Sequence, residues 1–190
     1  ACSIIAGEKL NKRVISYVHT IDWELASHSV GKYKQFIRWG TRLFARWLYN
    51  KCDTIITSSK DMEDILAQNS IQTRKIIIPL GINTQKFKPA NTERSKKKLG
   101  IKPELFVIGY HGRIAREKNL PTLVKAVERI HSAHENVRLI IIGEGVKDEV
   151  PYKSWIIHAG KQDNVVPYLQ AMDVYVLPSL TETSSLATME

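Results

Sequence analysis

Short apolar runs rich in β-branched residues alternate with amphipathic stretches along the whole chain, and this alternation limits the fold more than any other feature. Residues 12–19 (KRVISYVH), 53–58 (DTIITS), 75–80 (KIIIPL), 106–110 (FVIGY), 137–142 (VRLIII), 155–158 (WIIH) and 173–177 (DVYVL) each have the length and composition of a buried strand. Between them lie helix-like segments. Residues 31–51 carry a helical apolar period; Ser58 or Ser59 caps a helix running to about residue 69, with Asp61 in its first turn; and residues 92–99 end at Gly100. Residues 120–131 and 163–172 continue the pattern, and no Asn-Gly or Asp-Gly pair signals a hairpin. Strands that are buried on both faces and separated by helices belong to parallel sheets, so the prediction is an α/β protein of two doubly wound units facing each other. The irregular segment 81–89 (GINTQKFKP) separates them, giving domains 1–88 and 89–190.

A chain of 190 residues, 43% hydrophobic and 25% charged, can build a sizeable core. Its apolar runs fall far short of the ~20 residues needed to span a bilayer, and nothing resembles a secretory signal, which points to a cytoplasmic protein. Cys2 and Cys52 are too few and too scattered for a disulfide framework or a zinc site, and both are expected to be inert. The formal charge of +9 invites polyanionic partners: nucleic acid, an anionic membrane surface or phosphorylated ligands. No aromatic RNA-binding motif or helix-turn-helix pattern accompanies that charge, which argues against nucleic acid. The chain starts without Met and stops inside an expected helix, so it reads as part of a longer protein, incomplete at both ends.

Within 31–51, Lys34, Arg38, Arg42 and Arg46 recur every fourth residue, and Ile37, Leu43, Phe44, Trp47 and Leu48 form the expected apolar stripe. Like charges at that spacing repel by a few tenths of a kcal/mol per pair. The basic stripe is therefore either a solvated face or one that meets an anionic membrane, with tryptophans at the interface. The loop 112–119 (GRIAREKN) leaves the strand at 106–110 with three bases, and Gly143-Glu144-Gly145 forms a tight exit from 137–142. His131 and His134 bring no third ligand, so no metal site is expected. Residues 179–190 (SLTETSSLATME) follow the last strand. They place Glu182 in a loop at a strand's carboxyl end, hydroxyls at Ser184 and Ser185 next to it, and Glu190 beyond a helix start. Ligands of open α/β sheets bind at such ends, and helical rise would set the two glutamates roughly 10 to 12 Å apart, with first-turn amides between them for a diphosphate.

Glu182, seven residues, then Glu190 resembles the E-x7-E signature of retaining GT-B glycosyltransferases, in particular glycosyltransferase family 4. The resemblance implies two Rossmann-like domains and transfer of a hexose from a UDP- or GDP-linked donor to a glycan or lipid acceptor, without a cofactor. Residue by residue, it implies that Glu182 contacts the transferred sugar and Glu190 the nucleotide ribose. Arg113 and Lys118, matching G-R-x4-K, would grip the diphosphate. Amides of Ser184, Ser185 and Leu186 would assist, Gly160 and Asn164 would flank the base, and His19 would lie near the donor sugar. Thr183-Ser184-Ser185 stands where the family often has Gly-Phe-Gly, which leaves the sugar open. No Asp-x-Asp is present to hold a metal, so transfer is expected to be metal-independent, by an enzyme peripheral at the inner membrane face. A nonhydrolysing sugar-nucleotide epimerase shares the fold, but would need catalytic acids that this sequence does not identify. A basic nucleic-acid-binding module is the non-enzymatic alternative.

Overall fold

The computed structural model describes residues 2–24 and 33–190, which divide into two compact units. The first comprises Ala1–Gly81 with Thr181–Ser185, the second Ile82–Leu180 with Leu186–Glu190. The expected loop through Ser29 and the first residues of the expected helix at 31–51 lie outside the described residues.

The first unit holds helix α1 (Cys2–Lys9), strand β1 (Ile15–Val18), helix α2 (Lys34–Tyr49), β2 (Thr54–Thr57), α3 (Lys60–Gln68) and β3 (Lys75–Ile77). Its strands are parallel in the order β1-β2-β3, with Ile15 opposite Thr54 and Ile56 opposite Ile76. Helix α3 starts where its sequence requires: the Ser59 hydroxyl accepts the Met62 N–H at 3.2 Å, and Asp61 and Glu63 fill the first turn. Ile55 on the central strand is fully buried, and Val18, Trp23, Ala45, Leu48, Met62 and Leu66 pack in the same core. Strands β1 and β3 are shorter than their apolar runs and largely exposed, because each is an edge strand with one neighbour among the described residues. Helix α2 also departs from expectation. It buries Ala45 and Leu48 and leaves Leu43, Phe44 and Trp47 outside. Burial, and then a hydrogen bond to Asp22, push the Tyr49 phenol well above its ordinary range. Burial likewise raises the Cys52 thiol, whereas Cys2 is exposed.

In the second unit, α4 (Thr92–Lys98), β4 (Phe106–His111), α5 (Leu120–Ala133), β5 (Val137–Ile142), β6 (Ile156–Gly160), α6 (Val166–Ala171), β7 (Val174–Tyr175) and α7 (Leu186–Met189) follow in turn. All four strands are parallel, in the order β6-β5-β4-β7, and β5 is buried at every position except Arg138. Two apolar clusters cover this sheet: Leu120, Leu123, Val124 and Val127 of α5 lie in one, and Val107, Ile140, Ile142 and Met172 form the other with Ile101. Helix α6 begins later than its sequence suggests, since the Asn164 side chain accepts the Val166 N–H at 3.2 Å and Pro167 sets the first turn. His131 stacks on Trp155 with its Nδ1 3.0 Å from the Val137 carbonyl, a structural role. Among the described residues no three His, Cys, Asp or Glu side chains group to hold a metal.

Lys96 ties this unit together. Although it sits in a basic run, it is only 3% exposed, and its ammonium donates to Asp173 at 2.6 Å and to the Leu105 carbonyl at 2.8 Å. The same Asp173 oxygen accepts the Val107 N–H at 2.7 Å, so one carboxylate joins α4 to the starts of β4 and β7. Removing the acid strands a buried cation, which costs more than removing the cation and leaving a partly solvated acid. Asp173→Ala is therefore expected to lose about 2 to 4 kcal/mol in urea unfolding, and Lys96→Met less than half as much. Equal losses would mean that the pair matters only through packing.

Candidate functional site

The site is built at the carboxyl ends of β4, β5 and β6. Parallel pairing does not stop with the strands: Gly112 N–H donates to the Ile142 carbonyl at 2.9 Å, Ile114 N–H to Glu144 at 2.9 Å, and Val146 N–H back to Ile114 at 2.9 Å. Gly143 N–H reaches the Gly160 carbonyl of the next strand at 2.8 Å. Only glycine permits this approach. A Cβ on Gly143 would lie 1.9 Å from the Gly112 carbonyl oxygen, and one on Gly145 1.9 Å from that of Ile114; both glycines have positive φ. The three strand exits thus form a continuous backbone floor. Above it opens a cleft of 490 Å³ lined by His111, Gly112, Arg113, Gly143, Glu144, Lys161 and Gln162.

The turn carrying Arg113 is held from below. Tyr110 is fully buried, and its hydroxyl donates to the Arg113 carbonyl at 2.7 Å. The exposed Arg113 guanidinium pairs with Glu117 at 2.6 Å, and Lys118 closes a 3₁₀ turn over Arg116–Lys118. The loop is anchored by the Leu180 N–H donating to the Glu117 carbonyl at 2.9 Å and by the Asn119 amide donating to Pro178 at 3.3 Å. Lys161 lies 3.5 Å from Glu144. The Lys161–Glu144 pair is exposed at both ends, where a pair is worth about 0 to 1 kcal/mol, whereas the Glu117 carboxylate is only 13% exposed.

Glu190 belongs to the same unit. Its carboxylate lies 3.0 Å from His111 Nε2, at the last residue of β4, and its N–H donates to the Leu186 carbonyl at 2.9 Å. His111 Nδ1 is buried without a hydrogen-bond partner among the described residues. Because a carboxylate oxygen only accepts, Nε2 is the donor in this contact. Helix α7 is only the four residues Leu186–Met189, so the eight-residue step from Glu182 to Glu190 is not helical throughout.

Glu182 itself is exposed in Thr181–Ser185, the segment grouped with the first unit. Thr183 fixes that segment: its hydroxyl donates to the His19 carbonyl at 2.6 Å, and its carbonyl accepts from Ser59 at 3.3 Å. His19 follows β1, exposed, with its ring stacked on Tyr17. Ser184 and Ser185 are half-buried, and Leu186 begins α7. Gly160 closes β6 at φ +67, while Asn164 is exposed and committed to the start of α6. Of the expected nucleotide-contacting residues in the second unit, Arg113 lines the cleft, Glu190 meets His111 at the end of β4, Gly160 closes β6, and Lys118 ends the 3₁₀ turn that follows Arg113. Sequence reading missed His111 and Lys161. His111 carried a signal in its place immediately before Gly112-Arg113, whereas Lys161 carried none beyond its charge.

Two family models between them match nearly the whole chain: Glycosyltransferase Family 4 over residues 1–86 and Glycosyl transferases group 1 over residues 106–190. The chain is 31% identical over 154 residues to an alpha-monoglucosyldiacylglycerol synthase of Acholeplasma laidlawii, a match covering 73% of this chain and 39% of that protein. It is 29% identical over 172 residues to the UDP-Gal:alpha-D-GlcNAc-diphosphoundecaprenol alpha-1,3-galactosyltransferase of Escherichia coli, covering 80% and 44%. The chain thus spans about two-fifths of the length of these curated relatives, 39% and 44%. Among solved structures, sucrose-phosphate synthase from Thermosynechococcus elongatus superposes with a TM-score of 0.77 at 19% identity, over 97% of this chain and 50% of that one, a likeness of fold. With two parallel-sheet units of this class and both family models in chain order, the chain belongs to the group 1 glycosyltransferases of family 4, which have the GT-B fold.

Proposed function

We propose that the protein is a retaining hexosyltransferase that moves a sugar from a nucleoside diphosphate donor to a lipid-linked or glycan acceptor without a divalent metal. The observation that carries this reading is the glycine-floored cleft at three parallel strand ends, with Arg113 and Lys161 on its rim and the Glu190 carboxylate held by His111. A diphosphate needs close backbone approach and fixed cations, and a ribose needs an oriented carboxylate. Both relatives named above carry a lipid in their names, a diacylglycerol in one and a diphosphoundecaprenol in the other, and the second also names UDP-Gal. These names support a UDP-linked donor, with a GDP-linked one as the alternative to be tested beside it.

In the proposed reaction the bond from the sugar's anomeric carbon to the β-phosphate oxygen breaks, and the oxygen keeps the electron pair. The acceptor hydroxyl bonds to that carbon on the same face, and its proton passes to the departing phosphate, so anomeric configuration is retained. Charge on the diphosphate grows along this path. Arg113 and Lys118, with amides of Ser184, Ser185 and Leu186, therefore favour the transition state over the bound donor. Glu182 orients the transferred sugar, and Glu190 holds the ribose.

If these roles hold, Glu182→Ala removes turnover while leaving UDP affinity within about threefold, whereas Glu190→Ala weakens UDP binding ten- to a hundredfold, the range for losing a hydrogen bond to a charged group. Calorimetry with UDP and GDP, beside product formation by the full-length enzyme, separates the two. Equal losses of nucleotide affinity would contradict the division of labour. Retention is read from the anomeric proton coupling of the product.

Because Arg113, Lys118 and Lys161 supply the positive charge, transfer is expected to persist in excess chelator, and Arg113→Ala to weaken UDP binding at least tenfold. Complete loss of activity in chelator, restored by a divalent cation, would overturn the metal-free mechanism.

A further inference from the structure

Helix α2 has two apolar faces, and the first unit uses only one. Ala45 and Leu48 are buried against the sheet, with Ile37 and Thr41 half-buried on the same side. Leu43 and Trp47 each stand two residues from Ala45, roughly 200° around a helix of 3.6 residues per turn. They continue a stripe through Phe36 and Trp39 at helical spacing. These side chains are 71% (Phe36), 54% (Trp39), 41% (Leu43) and 49% (Trp47) exposed. The stripe is about 16 Å long at 1.5 Å per residue. Tyr33, at the amino end, is exposed as well.

Cations border this stripe. Arg38, Arg42 and Arg46 run along one side, and Lys34 precedes them. Arg38 pairs with Glu24, whereas Lys34, Arg42 and Arg46 have no acidic partner among the described residues. At the carboxyl end the Lys51 ammonium sits 5.1 Å from the Trp47 ring, beside a 500 Å³ recess lined by Leu43, Arg46, Trp47, Asn50 and Lys51. An outward row of aromatic and aliphatic side chains edged by arginines is the pattern of a helix lying in a membrane interface, with rings at headgroup depth and cations on lipid phosphates. Among the described residues no helix is long and apolar enough to cross a bilayer, so the contact is lateral.

We infer that α2 docks the first unit flat on an anionic bilayer, with Trp39, Leu43 and Trp47 inserted at the headgroup level and Arg42 and Arg46 on lipid phosphates. Charge selects this occupant over a second copy of the chain, since apposing two such faces would bring their arginines together. The inference stands apart from the donor chemistry, and nucleotide binding measured on the same variants keeps the two distinguishable.

The full-length protein would be mixed with phosphatidylglycerol-containing vesicles and with pure phosphatidylcholine vesicles, each with brominated acyl chains that quench nearby tryptophans. Trp23 and Trp155 are buried, and the difference between wild type and W39F/W47F isolates Trp39 and Trp47 whatever other tryptophans are present. The expected result is strong quenching on anionic vesicles, lost in W39F/W47F and weakened by salt. In R42Q/R46Q, at roughly fivefold per residue, vesicle partitioning should fall on the order of 25-fold, with UDP affinity unchanged. In L43Q/W47Q it should fall with UDP affinity again intact. If the full-length protein ignores anionic vesicles at low salt, or binds them with Trp39 and Trp47 unquenched, the inference is overturned. If these tryptophans are shielded from acrylamide without lipid, by another segment or by a second copy seen in sedimentation, it is overturned too.

Discussion

The close passage of two backbones at Gly112 and Gly143 is the constraint on which the second unit's site depends. Parallel strands ordinarily part at their carboxyl ends, because the chain must turn towards a helix and the side chains at the exit need room. Here the β4–β5 pairing runs on as far as Ile114 and Gly145, and it does so because neither Gly143 nor Gly145 presents a Cβ to the opposite carbonyl. The result is a floor of amides and carbonyls already paired with one another, over which Arg113 and His111 project. The buried Tyr110 hydroxyl on the Arg113 carbonyl keeps the turn from relaxing into the cleft. Gly143-Glu144-Gly145 is therefore a strand exit built for close backbone packing. Its glycines serve chain-to-chain contact, and Glu144 between them takes part in the charge pattern of the rim.

Charge in this protein is distributed by burial as much as by sequence. Lys96 looks like three neighbouring bases in a run, yet it is withdrawn from the surface and fully engaged by Asp173 and Leu105. Arg113 and Lys161 are held in ion pairs, while Lys34, Arg42 and Arg46 stand without acidic partners among the described residues. A net charge of +9 therefore resolves into a structural cation, a cleft whose cations are provisionally balanced, and a helix face where positive charge is concentrated.

The sheet architecture was legible in the sequence because its signal is local. A run such as residues 137–142 has no amphipathic alternative, and its flanking glycines and helix caps fix its ends to within a residue. The orientation of α2 was not legible. Helical periodicity finds faces but does not say which of two apolar faces the core will take; here it takes Ala45 and Leu48 and leaves the bulkier Leu43, Phe44 and Trp47 exposed. Edge strands β1 and β3 failed for a related reason: hydrophobic content predicts a strand, whereas burial depends on how many neighbours it has. In the site, Arg113 and Glu190 were marked by motif spacing. The His111–Glu190 contact joins residues far apart in sequence and depends on where α7 ends, which no local pattern encodes.

That contact also explains why a histidine suits the end of β4. A lysine there would bind the Glu190 carboxylate as a mobile point charge, and an arginine would hold it in a two-pronged pair that occupies both oxygens. An imidazole at 3.0 Å supplies one directional donor to one oxygen. The other oxygen and the remaining lone pairs are left free to accept further hydrogen bonds. One directional donor thus orients the Glu190 carboxylate without occupying its second oxygen.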